Sequence, residues 1–487
     1  MSKGSGIKQS QLYLMFTTKY GHNHQDPLNI ALYAYGCELL PDIGYNYTKY
    51  RCWSASTLAH NTVTVDSSDA EFKGSAVHGG NIEVFDIDDK TLQIVKANQN
   101  AAYDIKGEYS RELWRIDTGR NLEDAGYIVD LFRVFGGASH EYSLNYDANH
   151  NARMVVEGAR KMTDHPLIPV DVPVVRPDKA SDRGDAKGHY YAYIYPENVQ
   201  KAHFDSDRYN VVASSFNEKG EIIAGLHIHG FMQDDDQELL VCDVPSLRAT
   251  RLYGTSMDSN DEAEKYRMPK MIVRRAGEKL ASLFIHVLEP VDPCHPAQIQ
   301  KIQAVKGPKN NDGTNDVVLI ISYGDTKDYI LRLSKSDSFS MEDLRIEGKR
   351  GFIREVNGKV MKMVLSGGTL LQKGDVKLTG SGHRKGIIQS VMRKATGSPY
   401  NAFVTADLVP FDGKGRTLII RLPDGHTYGY MIEGIKKVDT LAHIVIANSE
   451  PGFEIDETGN STLMFYPFTK AYGVVTYTVD ETVVYNR

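Results

Sequence analysis

Short apolar runs, rich in β-branched and aromatic residues and broken by glycine, asparagine and aspartate, recur from one end of this chain to the other. They include QLYLMFTTKY, NIALYAYG, NTVTVD, NIEVFDID, TLQIVKA, YIVDLFRVFG, VVLIISYG, YILRLS, TLIIRL and AHIVIAN. An alternation of period two places one set of side chains on one face of an extended backbone, the signature of a half-buried strand. Capped helical periodicity is nearly absent, and DSNDEAEKY, residues 258–266, reads as one short helix at most. So many strands must satisfy their backbone N–H and C=O groups on one another. The expected fold is therefore all-β: stacked antiparallel sheets forming a large β-sandwich, followed by a smaller C-terminal β-sandwich. Runs such as EVNGKV, TGSGHRKG and RLPDGHTYG put glycine, mostly after Asn or Asp, between strands, which predicts tight hairpins with positive φ.

At 487 residues the chain exceeds the roughly 250 to 300 residues that one core supports. Two domains are predicted, 1–375 and 376–487, because a compact run of strands begins after residue 375. GPKNNDGTND, residues 307–316, reads as a loop, since strands of the same style resume on both sides. No fixed internal period is visible, which argues against propellers and solenoids. The net charge of −7 comes without a basic run, so nucleic acid is not an expected partner and the acidity reads as solubility. Cys37, Cys52, Cys242 and Cys294 show no CxxC spacing and are expected to be mostly buried thiols. No apolar run approaches 18 residues, and MSKGSGIKQSQ lacks a secretory apolar core, so neither export signal nor membrane anchor is expected in the chain as written.

Chemistry concentrates in YGHNHQDPLNIALYAYGCELLPDIGYNYTKYRCWSASTLAHNTVTVD, residues 20–66. His22 and His24 are two apart and would project to one face of an extended segment. Asp42 follows His24 by 18 positions and His60 follows Asp42 by another 18, each at the end of a strand-like run. Hairpin folding would bring all three together. Two imidazoles and a carboxylate suit zinc, with a fourth position for water. Histidines hydrogen-bonded along a polar sheet rim would leave the same pattern, so spacing alone keeps both readings open.

GHNHQDPLNIALYAYG, LLPDIGY, STLAHNTVTVD and, further on, YIVDLFRVFGGASHEYSLNYDANH at 127–150 together resemble the β-domain signature of the heparinase II/III-like polysaccharide lyases. The resemblance implies an N-terminal helical toroid followed by stacked β-sheets, with the substrate between them. It implies cleavage of uronic-acid-containing polysaccharide by β-elimination. It further implies that His22 is the active-site histidine facing the cleft and that His24, Asp42 and His60 hold a structural zinc ion. A tyrosine after the Asp turn would share the proton chemistry; of Tyr45, Tyr47 and Tyr50, we favour Tyr45. Arg51 could bind a carboxylate and Trp53 could stack on a sugar, although an exposed arginine and a core tryptophan are the more common fates of these residue types. His140 and His150 are expected to brace the sheet. Asp234, Asp235 and Asp236 lack the spaced ligands of a calcium loop and read as solvated.

Only 21 residues precede His22, too few for the toroid the resemblance implies. The chain is thus expected to be the β half of a longer enzyme, to pair with a separately encoded toroid, or to be a non-catalytic, zinc-stabilised carbohydrate-binding protein. The expected partner in each case is an anionic polysaccharide, glycosaminoglycan-like or alginate-like. The full-length family protein would be periplasmic or secreted.

Overall fold

A computed structural model of the protein describes residues 1–6, 9–16, 24–70, 80–87, 89–105, 107–121, 123–172, 175–179, 191–233, 236–252, 259–309, 314–407, 413–465 and 468–487. Every one of the strand-like runs named above contains a strand, and the strand pairings among the described residues are antiparallel. The predicted short helix is Asn260–Glu264. Ser259 caps it by accepting from the Glu262 N–H, and Asp261 and Glu262 face the positive end of its dipole. Arg51–Ser54 and Arg248–Leu252 are further single helical turns.

The chain divides into two compact units, residues 1–80 with 97–297, and residues 81–96 with 298–487. In the first, Ser2–Lys3, Ser10–Leu14, Ile30–Ala34 and Cys37–Leu40 form a four-stranded meander. A six-stranded sheet runs Lys161–Asp164, Glu197–His203, Glu238–Pro245, Arg267–Ala276, Ser139–Asn145, Val63–Val65. Another contains, in order, Asn151–Glu157, Arg208–Phe216, Ile222–Phe231, Ala281–Val291, Tyr127–Phe135 and Tyr109–Ile116. Tyr109–Ile116 is buried at every position and Tyr127–Phe135 at all but its last, as expected of central strands covered on both faces.

These last two sheets stack through polar groups as well as apolar ones. Tyr142, from Ser139–Asn145, stacks on His286 of the facing sheet with ring centroids 4.2 Å apart and donates to Asp130 Oδ2 at 2.7 Å. Arg111 grips Asp130 bidentately, Nε to Oδ1 at 2.9 Å and Nη2 to Oδ2 at 2.5 Å, and neither side chain is exposed. Leu113 lies directly opposite Asp130 in the strand register, so Arg111, two residues away on the same face, reaches it diagonally. His140 ties the same two sheets: its Nε2 donates to the Gly136 carbonyl at 2.7 Å, and its Nδ1 accepts from the Ser282 hydroxyl at 2.8 Å. Its expected bracing role is what the structure shows.

The second unit has two main sheets with separate cores. Lys301–Lys306, Val317–Tyr323, Thr326–Arg332, Leu344–Val356, Lys359–Lys373 and Val376–Thr379 form the first, with Thr482–Asn486 returning alongside Lys359–Lys373. The second runs from His383–Ile388 through Val475–Asp480, Thr417–Arg421, Thr427–Val438, Leu441–Ile446 and Ala402–Thr405 to Ser390–Met392. Residue 375, where the sequence pattern places a domain boundary, lies in the turn joining two paired strands of the first sheet. The change of sheet follows a few residues later, inside the second unit. Of the three predicted hairpins, Asn357-Gly358 is a two-residue turn with φ of 51° and 72°. PDG sits instead in a longer loop closed between Leu422 and His426, and TGSGHRKG carries the chain from one sheet to the next.

Replacing Asp130 by alanine strands a buried guanidinium and is expected to cost about 3 to 5 kcal/mol in urea denaturation, whereas Arg111→Met with Asp130→Leu should cost much less. Burial, reinforced by Arg275, holds the His140 imidazole down at about 4. It stays neutral in the fold while the unfolded chain takes up a proton near the ordinary value of about 6.5, so stability is lost as pH falls from about 6.5 towards 4. His140→Gln should therefore lower Tm at pH 7 yet show a shallower loss of Tm over that window.

Candidate metal centre and its aromatic flank

The strands that flank the histidine and carboxylate candidates are local in sequence, and the turns and loops between them bring the candidates together. Ile30–Ala34 and Cys37–Leu40 pair through a turn at Tyr35 and Gly36, with φ of 52° and 79°, which returns the chain so that Asp42 lies beside Asn29. Asn29 Nδ2 donates to Asp42 Oδ2 at 3.2 Å and the Gly44 N–H donates to Oδ1 at 2.9 Å, fixing the carboxylate. His60 follows a single helical turn, Thr57–Ala59, capped by Ser56. Its Nδ1 lies 2.7 Å from the Ser56 carbonyl oxygen and must donate to it, which leaves a lone pair on Nε2. That nitrogen lies 3.1 Å from His24 Nδ1 and 3.9 Å from Asp42 Oδ1. One ligand atom from each of His24, Asp42 and His60 falls within 4.8 Å of the others.

The donor set fits a cation. Two ring nitrogens 3.1 Å apart must otherwise share one proton. His24 Nε2 is buried and has no hydrogen-bond partner among the described residues. Burial and the neighbouring His60 hold the His24 imidazole down at about 4 against the pull of Asp42, so it is neutral, as a metal ligand must be. The Ser56, Asn29 and Gly44 contacts are the outer hydrogen bonds that orient ligands in such sites.

Asn61, in the AHNTV string, holds these segments in register. Its Nδ2 donates to the Ile30 and Pro41 carbonyls at 2.8 and 3.0 Å, its Oδ1 accepts from the Asn145 N–H at 2.7 Å, and its own N–H donates to Asn29 Oδ1 at 2.9 Å. Asn145 Nδ2 donates to the Ala59 carbonyl at 2.6 Å. Lys270, fully buried and pushed down to about 7 by that burial, donates to Asn145 Oδ1 at 3.0 Å. Sequence reasoning passed over Asn61, Asn145 and Lys270. Asn61 was within reach, being a polar residue inside the quoted string STLAHNTVTVD; Lys270 lies in MPKMIVRRAG and gave no signal.

Tyr45 lies against the triad. Its ring stacks on His24 with centroids 5.8 Å apart and planes 8° apart, and Arg51 Nη2 donates to its hydroxyl at 2.5 Å. The Arg51 guanidinium carbon sits 5.1 Å from the Tyr45 ring centre and 5.4 Å from that of Tyr47, which is exposed. Among the described residues no carboxylate pairs with Arg51. Tyr50 and Trp53 are instead in the core, and Trp53 Nε1 donates to the Pro245 carbonyl at 3.0 Å. Trp53 thus takes the packing fate and is not presented to a sugar. His22, Asp234 and Asp235 lie outside the described residues, while Asp236 is exposed in a turn. His150 joins a second cluster, taken up below.

Residues 14–164 match the family described as heparinase II/III-like, C-terminal. None of the curated proteins compared with the chain matches it. Among solved structures, a heparinase III gene product is 14% identical with a TM-score of 0.38, the match covering 73% of this chain and 42% of that one. The heparan sulfate lyase HepC from Pedobacter heparinus is 12% identical with a TM-score of 0.38, covering 67% and 40%. A further heparinase III structure is 12% identical with a TM-score of 0.39, covering 66% and 39%. The chain spans about two fifths of the length of these solved proteins. Residues 14–164, the stretch that matches this family model, hold His24, Asp42 and His60 together with Tyr45 and Arg51.

Proposed function

We propose that this chain is the β-domain half of a polysaccharide lyase that cleaves a uronic-acid-containing polysaccharide by β-elimination. The observation that carries the reading is the junction of Arg51, Tyr45 and the His24, Asp42, His60 cluster within the stretch that matches the family. β-Elimination needs a group to remove the C5 proton, a cation to neutralise the uronate carboxylate as charge develops, and an acid to protonate the departing C4 oxygen. Tyr45 has a phenol suited to proton transfer. Arg51 is a cation without an internal carboxylate partner among the described residues, and its fork geometry matches a carboxylate.

His24, Asp42 and His60 would hold zinc, which here fixes the loops that present Tyr45. By the same resemblance His22, outside the described residues, is the histidine we propose to act on the substrate. The substrate class is an anionic polysaccharide, glycosaminoglycan-like or alginate-like, and the rest of the cleft would come from a helical toroid, on the same polypeptide or encoded separately. Such enzymes meet their polymers outside the cytoplasm, so we place this one in the periplasm or the medium. Among the described residues no helix is long and apolar enough to cross a membrane.

Assays following the absorbance of 4,5-unsaturated uronate products, with and without a co-expressed toroid, test the activity. We expect turnover in the presence of the toroid, reduced about 10²-fold or more in kcat by Tyr45→Phe and by Arg51→Ala. No product from any of several polyuronates under either condition would leave a non-catalytic glycan-binding protein as the remaining reading. For the metal, His24→Ala should release about one equivalent of zinc and lower Tm, because binding energy at a folded site is folding energy. Zinc content unchanged by that substitution would remove the assignment.

A further inference from the structure

A second cluster of ligand-type side chains lies in the first unit, at the other end of the strand that leads to Asp42. Cys37 begins Cys37–Leu40. Asp147 and His150 lie in the turn after Ser139–Asn145. One ligand atom from each of Cys37, Asp147 and His150 falls within 4.8 Å of the other two. Cys37 and Asp147 are buried, and the His150 side chain is about one-third exposed.

We propose that Cys37, Asp147 and His150 form a second, thiolate-containing site for a zinc-type divalent cation. Asp147 and His150 are already oriented. Asp147 Oδ1 accepts the N–H groups of Asn149 and His150 at 2.9 and 3.2 Å, which fixes the turn and leaves Oδ2 facing the cluster. Oδ2 lies 2.9 Å from His150 Nδ1 and accepts from the Ser215 hydroxyl at 2.5 Å, the kind of outer contact that steers a ligating carboxylate. Asp147 holds this position at φ 28°, a conformation uncommon outside glycine, so the backbone carries strain to place it. Thiolate, imidazole and carboxylate form a mixed soft and borderline set suited to zinc.

A pocket of about 350 Å³, lined by Gly36, Glu38, Asn149 and His150 among others, reaches the cluster at His150. Binding would release the thiol proton to solvent and shift the His150 ring proton from Nδ1 to Nε2, leaving a neutral imidazole ligand with no change of oxidation state. The inference is independent of the lyase reading, since it concerns only ligands on the far side of the hairpin.

Cobalt(II) distinguishes this site from the first, because only a thiolate ligand gives an intense sulfur-to-cobalt charge-transfer band in the near ultraviolet, and the His24, Asp42, His60 set contains no sulfur. The full chain, stripped of metal and reloaded with cobalt, should show that band and bind about two equivalents. Cys37→Ser should abolish the band and remove about one equivalent, and His150→Ala should do the same. His24→Ala should remove the other equivalent and keep the band, and Cys294→Ser, altering an exposed thiol, should change neither. Wild-type protein that binds cobalt without a charge-transfer band, or a band that survives Cys37→Ser, would overturn the proposal. The wild-type spectrum decides even if a variant fails to fold.

Discussion

One fully buried guanidinium organises the first unit. Arg111 satisfies Asp130 with one edge and directs Nη1 at the carbonyls of Leu28 and Asn61, at 2.8 and 2.5 Å. Removing two charges from water costs several kcal/mol per ion, and attraction offsets this only when the geometry is good and the remaining donors and acceptors are satisfied. Here Tyr142 supplies the further bond to Asp130 from the facing sheet, and the two carbonyls come from segments flanking the ligands. The same side chain therefore joins the stacked sheets and anchors the loop before Ile30–Ala34 and the segment after His60.

That anchoring explains why the cluster stands on irregular backbone without drifting. Leu28 has φ 56°, and His24, Asp42 and His60 all lie outside strands. Loops can carry preorganised sites only when their backbone groups are bonded to a rigid support. The Asn61 side chain bonds to Ile30, Pro41 and Asn145, and Thr62 donates to the Pro27 carbonyl, so the segments around Asp42 and His60 are tied to one another and to the six-stranded sheet. The AHNTV string is mostly this brace, with one member of the cluster, His60, in it.

Cys37–Leu40 connects the two ligand clusters. Its first residue contributes the thiol, Pro41 and Asp42 follow its end, and the Leu39 carbonyl accepts the Asp147 N–H at 3.4 Å. Pairing this strand with Ile30–Ala34 sets the position of both clusters at once, so they share one local scaffold. Tyr45 and Arg51 follow the Asp42 turn directly, and their separation from Tyr50 and Trp53 is a matter of which face the single turn Arg51–Ser54 buries.

The amino-acid sequence by itself determined the strands, their antiparallel habit, the short helix at 260–264 and the grouping of His24, Asp42 and His60, because period-two alternation, turn residues and short-range spacing are local properties. It also placed His140 as a brace. Tertiary structure decided the rest. Whether Tyr45 or Tyr50 faces the triad, whether Trp53 meets sugar or core, and that Cys37 meets Asp147 and His150 across more than a hundred residues all depend on which sheet faces stack. The compact units likewise part near residue 297 and not at 375, because Thr482–Asn486 pairs back with Lys359–Lys373. Arg111 and Lys270 look like ordinary surface cations in the sequence, since only the register and stacking of distant strands reveal the buried acceptors that hold them.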